Sequence, residues 1–153
     1  MLNAEKYRKE ILNNYSKGFS VIDSHIDDCE SIACESCLFS NSKNDDGYLT
    51  CINRKVKWLL SEYKEPVKLT RLEYEVLKHY YNDSYKYIAR DENGYLFIYI
   101  AKPSKGSNIW RSISDHHNLY DFRKKFQFVK WEGKEPTSIK EVLNNCEVVE
   151  DDD

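Results

Sequence analysis

Chain-breaking residues are scarce in this sequence. Three prolines and five glycines are spread over 153 residues, so no flexible linker marks a boundary between domains. Long apolar runs are missing too: nothing approaches the roughly 20 residues that span a bilayer. The opening stretch, MLNAEKYRKEILNNY, mixes both charge signs where a secretory leader is apolar. No Gly-rich phosphate loop, nucleophile elbow or zinc-protease helix occurs, and an enzyme is not expected. Nor does one charge sign dominate. Lys and Arg number 23 against 26 Asp and Glu, a net charge of −3, which is unlike a dedicated nucleic-acid binder. These absences lead to an expectation of one domain over residues 1–146 in the cytoplasm of the cell that makes it.

What is present is aromatic. The chain holds 12 Tyr, 6 Phe and 3 Trp, and 41% of it is hydrophobic, enough to build a core. Tyr has an apolar body and a polar tip, so a Tyr-rich chain suits shallow cores and half-buried surfaces. Charge is unevenly spread. Residues 23–37 carry Asp23, Asp27, Asp28, Glu30 and Glu35 without a Lys or Arg, whereas residues 66–146 hold 14 basic and 10 acidic side chains. Five acids crowd residues 147–153, a composition expected of a solvated, disordered tail.

Periodicity predicts the elements. Ala4, Tyr7, Ile11 and Tyr15 recur at helical spacing over residues 3–17, with Gly18 as a stop. Ile52, Val56, Leu59, Leu60 and Tyr63 form one helical face ahead of Pro66. Thr70 and Glu73 make a capping box for a third helix, with Leu69 and Tyr74 placed as a hydrophobic staple. That helix is expected to bury Leu72, Val76, Leu77 and Tyr80 and to end near Asn82. The period then shortens: residues 85–90 and 95–101 read as strands around a turn at Asp91–Gly94, and residues 126–131 as a third strand. Residues 103–121 have no clean pattern. Ser138 with Glu141 opens a last helix ending near Cys146. The expected class is α+β, a helical N-terminal half with a zinc knuckle, packed with a small antiparallel sheet and a C-terminal helix.

The sharpest motif is the spacing Cys29-x4-Cys34-x2-Cys37-x13-Cys51. In a reducing compartment, clustered cysteines serve as metal ligands more readily than as disulfides. Zn²⁺ takes four ligands tetrahedrally and suits thiolates, and four protein ligands leave no position open for water, so the expected ion is structural. Cys51 begins a helix, where the dipole favours a thiolate. The alternatives are buried free thiols, a redox Cys-x2-Cys pair and an iron–sulfur cluster. His25 could replace Cys29 as a ligand, and Cys146 is left without a task. Four thiolates on Zn²⁺ beside five carboxylates would repel phosphate, which argues against a nucleic-acid zinc finger.

Two further patterns carry weaker signals. Asp115-His116-His117 is reminiscent of a phosphoesterase signature or a histidine–metal nuclease, but the additional Asp motifs or histidines such sites need are missing. Between residues 102 and 131, Lys102, Lys105, Arg111, Arg123, Lys124, Lys125 and Lys130 alternate with Trp110, Tyr120, Phe122, Phe126, Phe128 and Trp131. Stacking rings with tracking cations is how single strands are held. The same pattern also describes core aromatics beside solvated charges, or a protein-binding patch of Trp, Tyr and Arg.

The Cys-x2-Cys knuckle, followed by KWLLSEYKEPVKLTRLEYEVLK and YKYIARDENGYLFIY, resembles a group of small zinc-containing proteins encoded by phages of Firmicutes, the anti-CRISPR inhibitors of type II-A effector nucleases. The likeness covers roughly residues 29–100. It implies a counter-defence protein acting in the cytoplasm of the bacterial host. It further implies stoichiometric binding to the nuclease, at its recognition lobe, that blocks loading of target DNA, with no membrane partner and no direct nucleic-acid contact. The alternative expectation is a phage nucleic-acid-binding regulator that uses residues 102–131.

Overall fold

The computed structural model describes residues 1–14, 18–40 and 50–150. These fall into two compact units, Met1–Glu65 and Pro66–Asp153, where the sequence reading expected one domain. Both mix helix with small sheets, and the chain is α+β. Among the described residues no helix is long and apolar enough to cross a membrane.

In the first unit the expected opening helix is two short ones, α1 (Asn3–Lys6) and α2 (Arg8–Asn13), interrupted at Tyr7; residues 15–17 lie outside the described set. The interruption leaves the Tyr7 ring stacked on Trp58 at 5.4 Å and edge-on to Tyr63 at 5.9 Å. A hairpin absent from the sequence reading follows: β1 (Phe19–Ile22) pairs antiparallel with β2 (His25–Asp28) through a turn at Asp23 and Ser24. Both turn residues have positive φ, 45° and 64°. This is the twist a two-residue hairpin turn demands, achieved here without glycine at a cost of about 1 kcal/mol per residue.

Helix α3 (Cys51–Leu59) is capped by Thr50, whose hydroxyl accepts from the Asn53 amide at 3.3 Å. It ends well before Pro66, and its inward face corrects the expected one. Trp58 turns inward, in contact with Phe19 and Phe39 at 6.1 and 5.8 Å. Arg54 is buried and donates to the Phe39 carbonyl at 3.0 Å. Ile52, Val56 and Leu60 are left exposed. Asn3 ties the N-terminus to the end of this helix, its side chain donating to the Trp58 carbonyl at 2.9 Å.

In the second unit, β3 (Val67–Thr70) leads into α4 (Arg71–Asn82). The capping box is present: Glu73 N donates to the Thr70 hydroxyl, and Thr70 N to the Glu73 carboxylate. Leu69 and Tyr74 join the same core, whereas Leu72, expected inside, is exposed. The predicted hairpin is β4 (Tyr87–Arg90) with β5 (Leu96–Tyr99). Gly94, at φ +89°, makes the tight turn that a side chain would strain. The segment without a pattern supplies β6 (Ser104–Lys105), β7 (Trp110–Arg111) and β8 (His116–Asn118). With β9 (Thr137–Ser138), the larger sheet runs β8-β5-β4-β9, all antiparallel. One face, with Ile88, Leu96 and Ile98, packs on Leu77 of α4 and on Ile139 and Val142 of α5 (Ile139–Asn144). Residues 147–149, expected as tail, instead belong with Cys146 to β10 (Cys146–Val149), parallel to β3; residues 151–153 lie outside the described set.

Residues 126–131, expected as a strand, are irregular chain held by two charged side chains. Arg90 donates to the carbonyls of Val129, Gly94, Arg123, Lys125 and Phe126 at 2.8–3.1 Å. Those carbonyls meet a guanidinium where a neighbouring strand would otherwise stand. Burial and the nearby Arg123 lower the Arg90 pKa, but from an ordinary value so far above neutral that it stays protonated. On the other side, buried Glu73 accepts from the Phe126 amide at 2.7 Å and fixes that residue at φ +56°.

Glu73 therefore caps α4 and pins the 119–131 segment at once. Glu73→Ala is expected to cost about 2–4 kcal/mol in urea unfolding, against about 1 kcal/mol for Thr70→Ala, which removes the cap alone. Equal losses in the two variants would show that the Phe126 contact contributes nothing.

Candidate functional site

The cysteine region lies wholly in the first unit, apart from Cys146, which is buried in the second. Cys29 follows β2 and its amide donates to the Gly18 carbonyl at 3.1 Å. Cys34 sits on a single helical turn, Cys34–Ser36, and Cys37 on its far side, the Cys37 amide donating to the Cys34 carbonyl at 3.2 Å. Cys51 opens α3. Cys37 belongs to the core with Phe19, Val21 and Phe39, Cys29 is half-buried, and Cys34 and Cys51 are exposed.

The donor set is chemically right for Zn²⁺, but among the described residues no three His, Cys, Asp or Glu side chains stand close enough to hold an ion. Cys29 is anchored at Gly18, while Leu38, next to Cys37, donates to the Val21 carbonyl at 2.8 Å. The Lys55 ammonium lies 4.0 Å from the Cys29 sulfur and also over the Phe19 ring. His25, the alternative ligand, has its Nδ1 2.7 Å from the Asp23 carbonyl oxygen. Residues 41–49, between Cys37 and Cys51, lie outside the described set.

Around this region the acids face solvent. Asp23, Asp27, Glu30 and Glu35 are all exposed. Asp28 is used locally, its carboxylate accepting from the Ser31 amide and hydroxyl at 2.9 and 2.6 Å.

The basic, aromatic segment of the second unit is mostly interior. Phe126 is fully buried, with Phe122 and Phe128 packed beside it under α4 and α5. Trp110 is buried on the opposite sheet face with Ala89 and Tyr99, and Trp131 meets it edge-on at 6.3 Å. The Lys105 ammonium lies 4.1 Å above the Trp131 ring and donates to the Trp131 and Gly133 carbonyls. Lys102 is paired with Glu135 at 2.6 Å, and Arg123 lies 4.8 Å over the Tyr95 ring. Of the six rings, Tyr120 alone is exposed. Stacking platforms for a nucleic-acid strand are thus largely used up by packing.

His116 and His117 alternate across β8 and point to opposite faces. His116 stacks on Tyr99 at 5.7 Å, and His117 lies 5.8 Å from Tyr80. Strand geometry thus separates the pair that the sequence places side by side.

The sequence reading missed Asp91 as more than a turn residue. Its carboxylate accepts from the Trp110 amide at 2.8 Å and is buried. The signal was the turn sequence itself, since Asp at the first turn position commonly accepts from backbone. Comparison with protein-family models, curated proteins and solved structures finds no match to this chain.

Burial raises the Asp91 pKa above its ordinary 3.8, outweighing the Trp110 hydrogen bond and His116, which lower it. The native carboxyl then holds its proton more tightly than the unfolded one. Stability falls as pH rises from the unfolded pKa through the folded one, and levels off above. Asp91→Asn keeps an oxygen for the Trp110 amide without a charge to bury. Its stability is expected to lack that acid-side slope in unfolding measured from about pH 3 to pH 7; parallel curves would contradict the assignment.

Proposed function

We propose that the chain is a binding protein, and that it works as its resemblance implies: a phage inhibitor that docks on a type II-A RNA-guided nuclease and keeps target DNA from loading. The observation that carries this reading is the set of exposed acids on and after the β1–β2 hairpin, Asp23, Asp27, Glu30 and Glu35, in a stretch without Lys or Arg. A channel built to hold a guide–target duplex is basic, and a fixed acidic hairpin is complementary to it. Such complementarity acts chiefly on association rate and on the choice of partner.

A structural Zn²⁺ on Cys29, Cys34, Cys37 and Cys51 belongs to the same proposal. Its support is the donor chemistry and the gathering of these four cysteines in one unit, away from Cys146. Lys55 beside Cys29 would offset part of the charge of a four-thiolate centre.

With a guide-loaded type II-A nuclease, one equivalent of the protein is expected to abolish the mobility shift of target duplex. The double variant Asp27→Lys, Glu30→Lys should need at least about tenfold more protein, a difference that shrinks at high salt. Unchanged target binding in the presence of excess protein would sink the proposal.

Elemental analysis of purified protein should find one zinc per chain, with chelation lowering the unfolding temperature of the first unit. No bound metal, together with five thiols titrating freely, would reject the metal centre while leaving the acidic surface open to its own test.

A further inference from the structure

Helix α3 is amphipathic in the wrong direction for a helix that only supports a core. Ile52, Val56 and Leu60 are 70%, 48% and 67% exposed. Their spacing of four residues lines them up along one side of the helix. The opposite side carries Arg54 and Trp58, which hold the helix to its unit. Rolling α3 to cover the stripe would withdraw Trp58 from Phe19 and Phe39 and strip the Phe39 carbonyl of its guanidinium donor. The stripe is therefore fixed outward by the packing behind it. Rows of apolar side chains at this spacing are the ridges by which helices interdigitate, and exposed apolar patches rimmed by polar groups mark interaction surfaces.

Charge selects the occupant. From Thr50 to Ser61 the chain has Arg54, Lys55 and Lys57 and no Asp or Glu. At about 100° per residue, Lys55 and Lys57 fall about 100° to either side of the midline of the stripe. Lys57 is exposed, and Lys55 is half-buried with its ammonium at Phe19 and Cys29. A second copy of the chain would bring the same cations against these, which disfavours self-association through this face. An amphipathic segment whose apolar ridge is bordered by Asp or Glu would bury the stripe and pair both flanks.

We infer that the Ile52–Val56–Leu60 face of α3 is a docking surface for an acidic amphipathic segment of a partner protein, which lays its apolar side on the stripe and its carboxylates against Lys55 and Lys57. The inference does not depend on the function proposed above.

The test uses the full chain and two designed helical peptides with Leu at every fourth position, one flanked by Glu and the other by Lys, with binding read by fluorescence anisotropy. The Glu-flanked peptide is expected to bind at least about tenfold more tightly than the Lys-flanked one, and less tightly as salt rises. Val56→Glu should weaken its binding about tenfold or more while leaving the unfolding midpoint unchanged, because the position already meets water. Equal binding of both peptides, or of wild type and Val56→Glu, would overturn the inference. So would a lowered unfolding midpoint in Val56→Glu, which would mean that the stripe is packed within the chain. A dimer in sedimentation velocity that Val56→Glu dissociates would assign the face to a second copy. Binding to vesicles containing phosphatidylglycerol, with no binding to the Glu-flanked peptide, would assign it to lipid.

Discussion

Much of the second unit depends on a non-repetitive stretch of chain being held as firmly as a strand. Residues 119–131 supply Leu119, Phe126 and Val129 to the core, all nearly or fully buried, yet beyond the Leu119 amide, which donates to the Leu96 carbonyl of β5, they pair in no sheet. Arg90 and Glu73 supply what a ladder would. The guanidinium takes four carbonyls along the stretch, and the carboxylate takes the Phe126 amide. A buried charge is expensive unless its hydrogen bonds are met, so each side chain also depends on the loop staying in place. The arrangement is mutual: the loop solvates the charges, and the charges replace the missing strand partners.

This explains where the sequence could be read and where it could not. The capping box at Thr70 and Glu73 was legible because both its members lie within one turn. The second task of Glu73, 53 residues along the chain at Phe126, leaves no local trace. Residues 126–131 read like a strand because Phe126, Phe128 and Val129 do pack in a core, but an apolar pattern reports burial, and burial does not require a ladder. The hairpin around Gly94 was legible from its turn chemistry. The hairpin at Asp23 and Ser24 was not, because neither residue announces positive φ as an Asn-Gly pair would. Tyrosine behaved as its chemistry suggests: Tyr7, Tyr63, Tyr74, Tyr80, Tyr81, Tyr85 and Tyr87 are all half-buried.

The site was less legible than the fold. Spacing proposes four cysteines as one donor set, but spacing constrains only the chain between them, and backbone pairing to Gly18 and Val21 sets where Cys29 and Cys37 stand. Cys29 is anchored at Gly18 and Leu38 at Val21, backbone pairings that the cysteine spacing does not announce. In the 102–131 segment the residue types suit strand binding, but the sheet's two faces take up most of the rings. Rings that alternate with cations in sequence separate into two interiors, leaving the cations outside or drawn onto Trp131 and Tyr95.

Helix α3 shows the same limit with the opposite result. Its apolar residues share one face, which ordinarily predicts the buried face. Here a tryptophan and an arginine claim the inside. Trp58 contributes more contact area against Phe19 and Phe39 than a Val or Leu would, and Arg54 meets a carbonyl that an aliphatic side chain would leave bare. Once those two are inside, helical geometry forces Ile52, Val56 and Leu60 out. The first unit therefore presents two surfaces of opposite character, an acidic hairpin and an apolar ridge edged with lysine. Both are fixed by packing behind them, so neither has to be ordered when a partner arrives, and the entropy cost of association falls accordingly. Surfaces so different in charge do not suit the same region of a partner. A protein that engages both must offer a basic site and an acidic amphipathic segment, a combination more selective than either contact alone.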